Sequence, residues 1–171
     1  MVEVRRLGAA DALAYREVRL TALRADPAAF ITTAEEYAAQ TPETVAARLT
    51  GEDSATFGAF VDGELVGILT VARETRERLV HRANVFGVAV LSAARGQGCG
   101  DALLRAGIAQ VGGWVGVTSL HLGVTASQVV ARRLYERHGF VAWGVQPDAV
   151  RVDGVTLAEV HMAREMGSGA S

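Results

Sequence analysis

The sequence predicts a single α/β (α+β) domain in which about seven strands form one mixed sheet. An almost continuous apolar run over residues 84–91 is typical of a central strand that is covered on both faces. A glycine-rich loop, a helical run and a further apolar stretch follow that strand, an order that predicts a parallel crossover. Alternating residues on both sides of Asp62-Gly63 predict an antiparallel hairpin, so the sheet contains both kinds of pairing.

The N-terminal part of the chain predicts one strand and several helical segments. Residues 2–7 alternate apolar and polar side chains, as a half-buried strand does. Asp11 is placed to cap the helix that follows, and Pro27 ends that helix. Between residues 30 and 49 the helical pattern weakens and predicts two short helices, of which the second restarts at Pro42.

The middle of the chain has the period of strands. Residues 55–61 and 64–73 flank Asp62-Gly63, which favours the positive φ angles of a two-residue turn. The charged segment 73–82 is predicted to be a solvated connection rather than a binding patch. It leads into the central strand and from there into the glycine-rich loop.

Beyond that loop the pattern predicts a helix, a strand, a second helix and two last strands. Gly112-Gly113 stops the first helix, and residues 119–124 form the strand. Ser127 is placed to cap the second helix, and Gly139 follows its C-terminus. The last two strands are expected at residues 140–146 and 156–164.

Length and composition predict one domain over residues 1–166, followed by a loose tail at 167–171. A chain of 171 residues with 50% hydrophobic content can bury about two thirds of its extended surface in one core. A formal net charge of −2 argues against nucleic acid or an anionic membrane as a partner. With neither a signal peptide nor an apolar run of about 18 residues, we expect a cytoplasmic protein. Cys99 is the single cysteine, which excludes an internal disulfide and a cysteine-based metal site, and we expect no metal.

The glycine-rich loop carries the strongest chemical signal. Gly96, Gly98 and Gly100 clear side chains from a helix N-terminus, where unpaired amides and the helix dipole attract phosphate oxygens. Arg95 adds a fixed positive charge, although glycine clusters are also ordinary turn chemistry. A dinucleotide fingerprint is excluded because its third glycine would have to stand where Asp101 stands, and the chain has no lysine for a Walker loop.

What remains is the pattern Arg-x-x-Gly-x-Gly at residues 95–100, opening a helix after a strand. It resembles the loop with which the GCN5-related N-acetyltransferase (GNAT) family binds the pyrophosphate of acetyl-coenzyme A. A second pattern of that family agrees at five of six places, with Gln128 where the family commonly has asparagine. The five matching residues are Ala131, Leu134, Tyr135, Gly139 and Phe140.

The resemblance implies the acyl-CoA N-acyltransferase fold, a mixed and mostly antiparallel sheet with helices on both faces. Its fourth and fifth strands would be parallel and splayed, and acetyl-coenzyme A would be the co-substrate. The family's habit of pairing also implies a homodimer. The residues implied to bind the coenzyme are Val88, Ala89, Val90, Arg95, Gly96, Gln97, Gly98, Cys99, Gly100, Asp101, Gln128 and Tyr135.

The chemistry of acetyl transfer asks for specific groups. A tetrahedral oxyanion needs a hydrogen-bond donor, and the family uses a backbone N–H of the fourth strand, here from residues 88–90. A hydroxyl can return a proton to the departing thiolate, and Tyr135 occupies the family's position for that acid. We do not expect Cys99 to act as a nucleophile, because no histidine accompanies it in the motif. Trp114 and Trp143 are expected to be packing residues.

The base that deprotonates the attacking amine is less clear. An amine of pKa about 10.4 is neutral in only about one molecule in two thousand at pH 7, so a base should assist it. We assign this role to Glu36, which lies in the region that covers the acceptor in this family. The alternatives that stay open are Glu35, His81, His121, Glu159 and His161.

These features together predict direct N-acetylation of a primary amine, most readily that of a small molecule, within a ternary complex. Acetylation of a protein or peptide N-terminus uses the same chemistry and is the first alternative. The second alternative is a non-catalytic module that binds acyl-coenzyme A. The identity of the acceptor and the preference for acetyl or longer acyl groups are left open by the sequence.

Overall fold

The computed structural model describes residues 1–167, and within them seven strands form one sheet. The strands are β1 (Val2–Arg6), β2 (Ser54–Val61), β3 (Glu64–Arg73), β4 (Arg82–Val90), β5 (Ser119–Thr125), β6 (Val141–Val152) and β7 (Val155–Glu165). They lie in the order β1-β2-β3-β4-β5-β7-β6. Only β4 and β5 pair in parallel, while every other neighbouring pair among the described residues is antiparallel.

Helices cover both faces of this sheet. They are α1 (Ala12–Ala25), α2 (Ala34–Ala38), α3 (Pro42–Leu49), α4 (Cys99–Gly112) and α5 (Val129–Arg137). Successive strand residues point to opposite faces, so Ile68 and Leu69 belong to two different layers of the core. Ile68 packs in one cluster with Val18 of α1, and Leu69 packs in another with Leu103 of α4. The predicted fold class is therefore confirmed.

The centre of the sheet opens between β4 and β5. These strands pair over three residues only, from Arg82 opposite Ser119 to Asn84 opposite His121. Beyond Asn84 the two strands have no paired residues, although β4 continues to Val90 and β5 to Thr125. The sheet thus contains a gap at the end of β4 that leads into the glycine-rich loop.

A bulge interrupts β4 at this gap. Ile68 pairs with Ala89 and Thr70 with Phe86, so Gly87 and Val88 together face the single residue Leu69. Gly87 has φ +56°, a left-handed conformation that favours glycine. The bulge changes the direction of the backbone where β4 leaves β5.

The turns predicted from Asp-Gly pairs are confirmed, but two local predictions are wrong. Ser127 does not cap the helix after β5, because Gln128 is the N-cap residue of α5. The sixth strand does not end at Gln146 but continues to Val152 through an irregularity that includes Pro147. This continuation is tolerated because β6 is an edge strand, where a proline without an N–H group removes no bond to a further strand.

Two further expectations concern the chain as a whole. Within residues 1–167, no helix is long and apolar enough to cross a membrane. The expected loose tail lies outside the described residues except for Gly167. The cytoplasmic location and the homodimer stay predictions.

Candidate functional site

The glycine-rich loop forms an open cradle at the start of α4. Gly96 has φ +80° and Gly98, the N-cap residue of α4, has φ +85°. A Cβ atom added at either position would meet no atom within 4 Å. Glycine is needed here for its backbone conformation, and the space above the loop is left free for a ligand.

The amides of this loop are not used by the protein. Among residues 1–167, no carbonyl or side chain accepts a hydrogen bond from the amides of residues 96–101. The first intrahelical bond of α4 runs from the Ala102 amide to the Gly98 carbonyl at 3.0 Å. These N–H groups, at the positive end of a 14-residue helix, are suited to a diphosphate.

Side chains of the loop have different roles from its amides. Arg95 is exposed, and its Nε donates to the Val90 carbonyl at 3.4 Å, so its guanidinium stays near the end of β4. The Cys99 side chain is buried, with its Sγ 3.8 Å from the Ala94 carbonyl, and burial raises the pKa of its thiol. Cys99 and Asp101 therefore fit the cradle through their amides alone. Gln97 is exposed and free of side-chain hydrogen bonds to the described residues.

The Asp101 carboxylate is turned toward α5. Its Oδ1 lies 2.8 Å from His138 Nε2, and Oδ2 lies 3.2 Å from Arg137 Nη2. The hydrogen bond with His138, followed by that with Arg137, lowers the pKa of Asp101. Gly100 also lies close to α5, since a Cβ added there would be 3.0 Å from Leu134. These contacts hold α5 against the first turn of α4.

The end of β4 offers a backbone edge to the gap. The Leu91 amide donates to the Val66 carbonyl at 2.8 Å, and Ala89 pairs with Ile68, so these residues direct their polar groups to β3. Alternation then directs the Val90 amide to the opposite edge, where β5 has diverged. By the same alternation the Ala89 amide is directed to β3 rather than into the gap. Val88 follows the bulge, where regular pairing is interrupted.

Tyr135 lies on α5, and only 7% of its surface is exposed. Its ring contacts Phe140 edge-on with centroids 6.0 Å apart. Burial raises the pKa of Tyr135 to about 12, so the phenol is neutral at physiological pH. Its hydroxyl makes no hydrogen bond to residues 1–167, yet it is not among their fully enclosed unpartnered atoms, and it therefore opens toward solvent.

Gln128 immediately precedes α5. Its amide donates to the Thr125 carbonyl at 2.9 Å, and its carbonyl accepts from the Arg132 amide at 3.0 Å. Its side chain makes no capping hydrogen bond. The side-chain amide is therefore free to meet a ligand beside the gap.

Glu36 caps the start of α2. Its Oε2 accepts from the Thr33 amide at 2.9 Å, and its own amide donates to Thr33 Oγ1 at 3.0 Å. This reciprocal capping box satisfies two amides at the start of α2. The carboxylate is engaged in the cap through Oε2, and the assignment of Glu36 as base stays a prediction. Glu35 beside it is exposed.

Two histidines lie at the closed end of the gap. His81 is exposed before β4, and its carbonyl accepts from the Thr118 and Ser119 amides. His121 Nε2 lies 2.9 Å from Ser119 Oγ, and burial lowers the pKa of His121. Both histidines lie where β4 and β5 are still close together, so neither lies at the open end of the gap.

Glu159 and His161 lie on β7 beside the open part of β5. Glu159 Oε1 is 3.6 Å from His161 Nε2, and the Glu159 side chain is 15% exposed. A Cβ added to Gly123 would collide with the Glu159 carboxylate, so the carboxylate lies directly over β5. Gly123 is past the last residue of β5 that pairs with β4. This pair therefore borders the gap.

Trp143 on β6 departs from its predicted packing role. Its side chain is 67% exposed, and its ring lies 5.4 Å from the His161 ring. Trp114 does pack against the core, as predicted. Phe86 of β4 is 51% exposed although it belongs to the central strand. Phe86 and Trp143 are therefore exposed aromatic side chains on β4 and on the edge strand β6, which is separated from β5 by β7.

Sequence reasoning missed two residues at this site. Gly87 interrupts an apolar strand pattern, and a glycine inside a strand is a signal of a bulge. Arg19 of α1 reaches Gly87, since a Cβ added there would be 2.6 Å from Arg19 Nη1. Sequence carried no signal for Arg19, because a helix and a strand far apart in the chain bring the two together.

The sequence matches the acetyltransferase (GNAT) family over residues 19–140. An L-amino acid N-acetyltransferase of Escherichia coli (strain K12), named AaaT, is 31% identical over 106 residues. This alignment covers 62% of the present chain and 65% of the relative, just under two thirds of the relative's length.

Solved structures share the fold at low sequence identity. A GNAT family acetyltransferase from Streptococcus pneumoniae has a TM-score of 0.87 at 22% identity, covering 98% of this chain and 100% of that one. A phosphinothricin acetyltransferase from Sinorhizobium meliloti, solved in complex with acetyl-coenzyme A, has a TM-score of 0.83 at 20% identity. That match covers 98% of this chain and 90% of the other.

Proposed function

This chain belongs to the acetyltransferase (GNAT) family, and from that membership we propose that it is an acetyl-coenzyme A-dependent N-acetyltransferase. Its acceptor would be the primary amine of a small molecule, and transfer would be direct, within a ternary complex. The observation that carries the proposal is the row of unused amides at residues 96–101, which begins where β4 separates from β5.

The coenzyme is held by backbone rather than by side chains in this proposal. Gly96 and Gly98 leave the space above the loop free, and the N-terminus of α4 supplies positive potential to the diphosphate. Arg95 adds an exposed positive charge near the same place. The Gln128 side-chain amide would bond the pantetheine arm, because it makes no capping hydrogen bond at the N-terminus of α5.

The thioester would lie in the gap between β4 and β5. There the backbone amide of Val90 or Val88 would donate a hydrogen bond to the thioester oxygen as it gains negative charge. Such a donor stabilises the transition state more than the ground state, because the oxygen becomes an anion only on attack.

Tyr135 would stabilise the departing thiolate. A phenol with a pKa of about 12 stays protonated beside a thiol whose ordinary pKa is about 8.5. Complete proton transfer from this phenol to the thiolate is therefore uphill, and the main contribution of Tyr135 is a strong hydrogen bond from its hydroxyl. The free hydroxyl on an otherwise buried ring supports this role.

Glu159 replaces Glu36 as the proposed base for the attacking amine. Its carboxylate lies over Gly123, on the part of β5 that does not pair with β4, with His161 3.6 Å away. A carboxylate in this position both attracts an ammonium group and accepts its proton directly or through one water. His161 contacts Glu159 on one side and Trp143 on the other, so it would hold the carboxylate in place.

A small acceptor is favoured over a protein N-terminus by one observation outside the site. The relative from Escherichia coli is named as an enzyme for L-amino acids, which are small primary amines. The name of this relative supports a small primary amine as the class of acceptor without identifying the individual compound.

The test is release of free thiol from acetyl-coenzyme A in the presence of single amines, with mass spectrometry of each product. The panel contains amino acids, their amides, simple amines and peptides with free N-termini. We expect acetylated product from small amines at least tenfold faster than from peptides. Binding of coenzyme A without turnover of any amine would instead indicate a non-catalytic module.

A further inference from the structure

We propose that Arg19 anchors a carboxylate of the acceptor, so that the substrates are amino acids or similar small molecules with both an amine and a carboxylate. This inference rests on the proposed acetyltransferase function and narrows its acceptor class. The observations that carry it are the position of the Arg19 side chain, its lack of a partner, and the arrangement of charge across the gap.

Arg19 is directed from α1 onto the bulge of β4. Its neighbours Val18 and Leu20 are buried, so α1 is firmly packed at this turn. The guanidinium lies so close to Gly87 that a Cβ there would be 2.6 Å from Nη1. Arg19 is therefore held at the point where β4 leaves β5, which is where the acetyl group would be presented.

The guanidinium has no anionic partner in the protein. Within residues 1–167, Arg19 takes part in none of the ion pairs, and its buried Nε has no hydrogen-bond partner. A buried N–H donor without an acceptor is costly. The Arg19 Nε is thus placed for an acceptor that residues 1–167 do not supply.

Tyr37 of α2 supports the same conclusion. The Arg19 guanidinium carbon lies 5.0 Å from the centre of the Tyr37 ring, a cation–π contact that orients the group without using its N–H donors. The Tyr37 hydroxyl is also buried without a partner. Two side chains that contact each other between α1 and α2 therefore each carry an unsatisfied donor group.

A carboxylate satisfies this arrangement. Its two oxygens match the planar N–H fork of a guanidinium, and such bonds are short and strong. A phosphate of the coenzyme fits less well, because the free amides that suit phosphate begin at Gly96, beyond the end of β4. Gly87 lies three residues before Val90, about 10 Å away along the strand. It is therefore nearer than the glycine-rich loop to the proposed position of the thioester.

The opposite side of the gap carries the opposite charge. Glu159 lies over β5, whereas Arg19 lies over β4. The turn at Pro27–Ala29, which follows α1, contacts β5, so the α1 segment spans both strands on this face. An α-amino acid would place its carboxylate at Arg19 and its amine toward Glu159. The first residue of a peptide has no free α-carboxylate and would gain nothing from Arg19.

The experiment compares pairs of acceptors that differ only in the carboxylate, each amino acid being assayed beside its neutral carboxamide. The expected wild-type result is a preference for the acid in kcat/KM. The Arg19→Gln variant is expected to lose about ten- to hundredfold for the acid, mainly through KM, and to leave the carboxamide within about twofold. Arg24→Gln, an exposed arginine of the same helix, is the matched control and is expected to behave as wild type.

Folding and coenzyme binding are measured separately by thermal unfolding and by calorimetry with coenzyme A. Arg19→Lys keeps the charge and loses the fork, so it is expected to recover only part of the preference. Equal loss for acid and carboxamide, or no preference in the wild type, would overturn the inference while leaving the proposed function intact. Absence of turnover with every amine, with coenzyme A still bound, would defeat the proposed function and the inference together.

Discussion

Asp101 Oδ1 lies 2.8 Å from His138 Nε2, and this contact joins the first turn of α4 to the residue that ends α5. The two helices carry different parts of the site, since α4 begins at the glycine-rich loop and α5 carries Tyr135. Their relative position is therefore set by a polar contact as well as by the approach of Gly100 to Leu134.

Replacing the Asp101 carboxylate is expected to weaken the contact between α4 and α5 and so to lower the stability of the fold. In Asp101→Asn, we expect the melting temperature at pH 7 to fall by about 2–4 °C, the shift for about 1 kcal/mol in a chain of this size. The pKa of Asp101 is lowered, so its stabilising effect is present above its ordinary value of 3.8 and is lost as pH falls below it. The difference from wild type in thermal unfolding should therefore shrink as pH falls below 3.8 through the lowered pKa of Asp101 in the folded state.

Filling the cradle is expected to abolish coenzyme binding. Gly98→Val introduces a side chain into the space above the loop and strains a residue with φ +85°. Gly116→Val is the matched control, because Gly116 has the same φ of +85° and open space but lies beyond α4. Calorimetry with coenzyme A should give at least a hundredfold weaker binding for Gly98→Val only. Equal weakening in both variants would mean that strain, not the cradle, is responsible.

Removing the Tyr135 hydroxyl is expected to slow transfer. In Tyr135→Phe, kcat should fall about ten- to hundredfold, the effect of one hydrogen bond to a charged group, with coenzyme affinity nearly unchanged. Steady-state kinetics and calorimetry measure the two quantities. Full activity in this variant would show that Tyr135 does not assist the leaving group.

The same tyrosine predicts how stability depends on alkaline pH. Its folded pKa of about 12 lies above its ordinary value of 10.0, so the unfolded chain loses the phenolic proton first. The stability from burying neutral Tyr135 is fully present below pH 10 and declines as pH rises toward 12. Denaturant titrations between pH 9 and 12 should show a smaller decline in Tyr135→Phe; an identical decline would contradict this prediction.

Variants of Glu159 and Glu36 distinguish a catalytic carboxylate from one that only caps a helix. Glu159→Gln should lower kcat/KM about a hundredfold at pH 7, and the deficit should shrink toward pH 10 as the amine loses its proton unaided. Glu36→Ala should leave the kinetics unchanged and lower stability by about 1 kcal/mol, because only the capping box is lost. The pH–rate profiles and melting curves of both variants check the assignment. A reversed outcome would restore Glu36 as the base.

Local sequence patterns correctly predicted the features of the fold that depend on a few neighbouring residues. The Asp62-Gly63 turn and the helix starting at Pro42 follow from the conformations that these residues favour, whatever surrounds them. The capping box of Thr33 and Glu36 is also a local pattern, whereas a catalytic role for Glu36 depends on where the acceptor binds, which no local pattern encodes. The prediction that Trp143 is a packing residue was wrong, because the exposure of a strand residue depends on which strand becomes the edge of the sheet.

The order of the elements, the glycine-rich loop and the family follow from residues that are close together along the chain, so spacing alone reveals them. That the amides of the loop have no partner among residues 1–167 is a result of the structure. The same holds for the separation of β4 and β5 after Asn84 and for the contacts of Arg19 with Gly87 and of Glu159 with Gly123. Each of these contacts joins segments distant in sequence, and their positions follow from the packing of helices on a sheet rather than from any local preference.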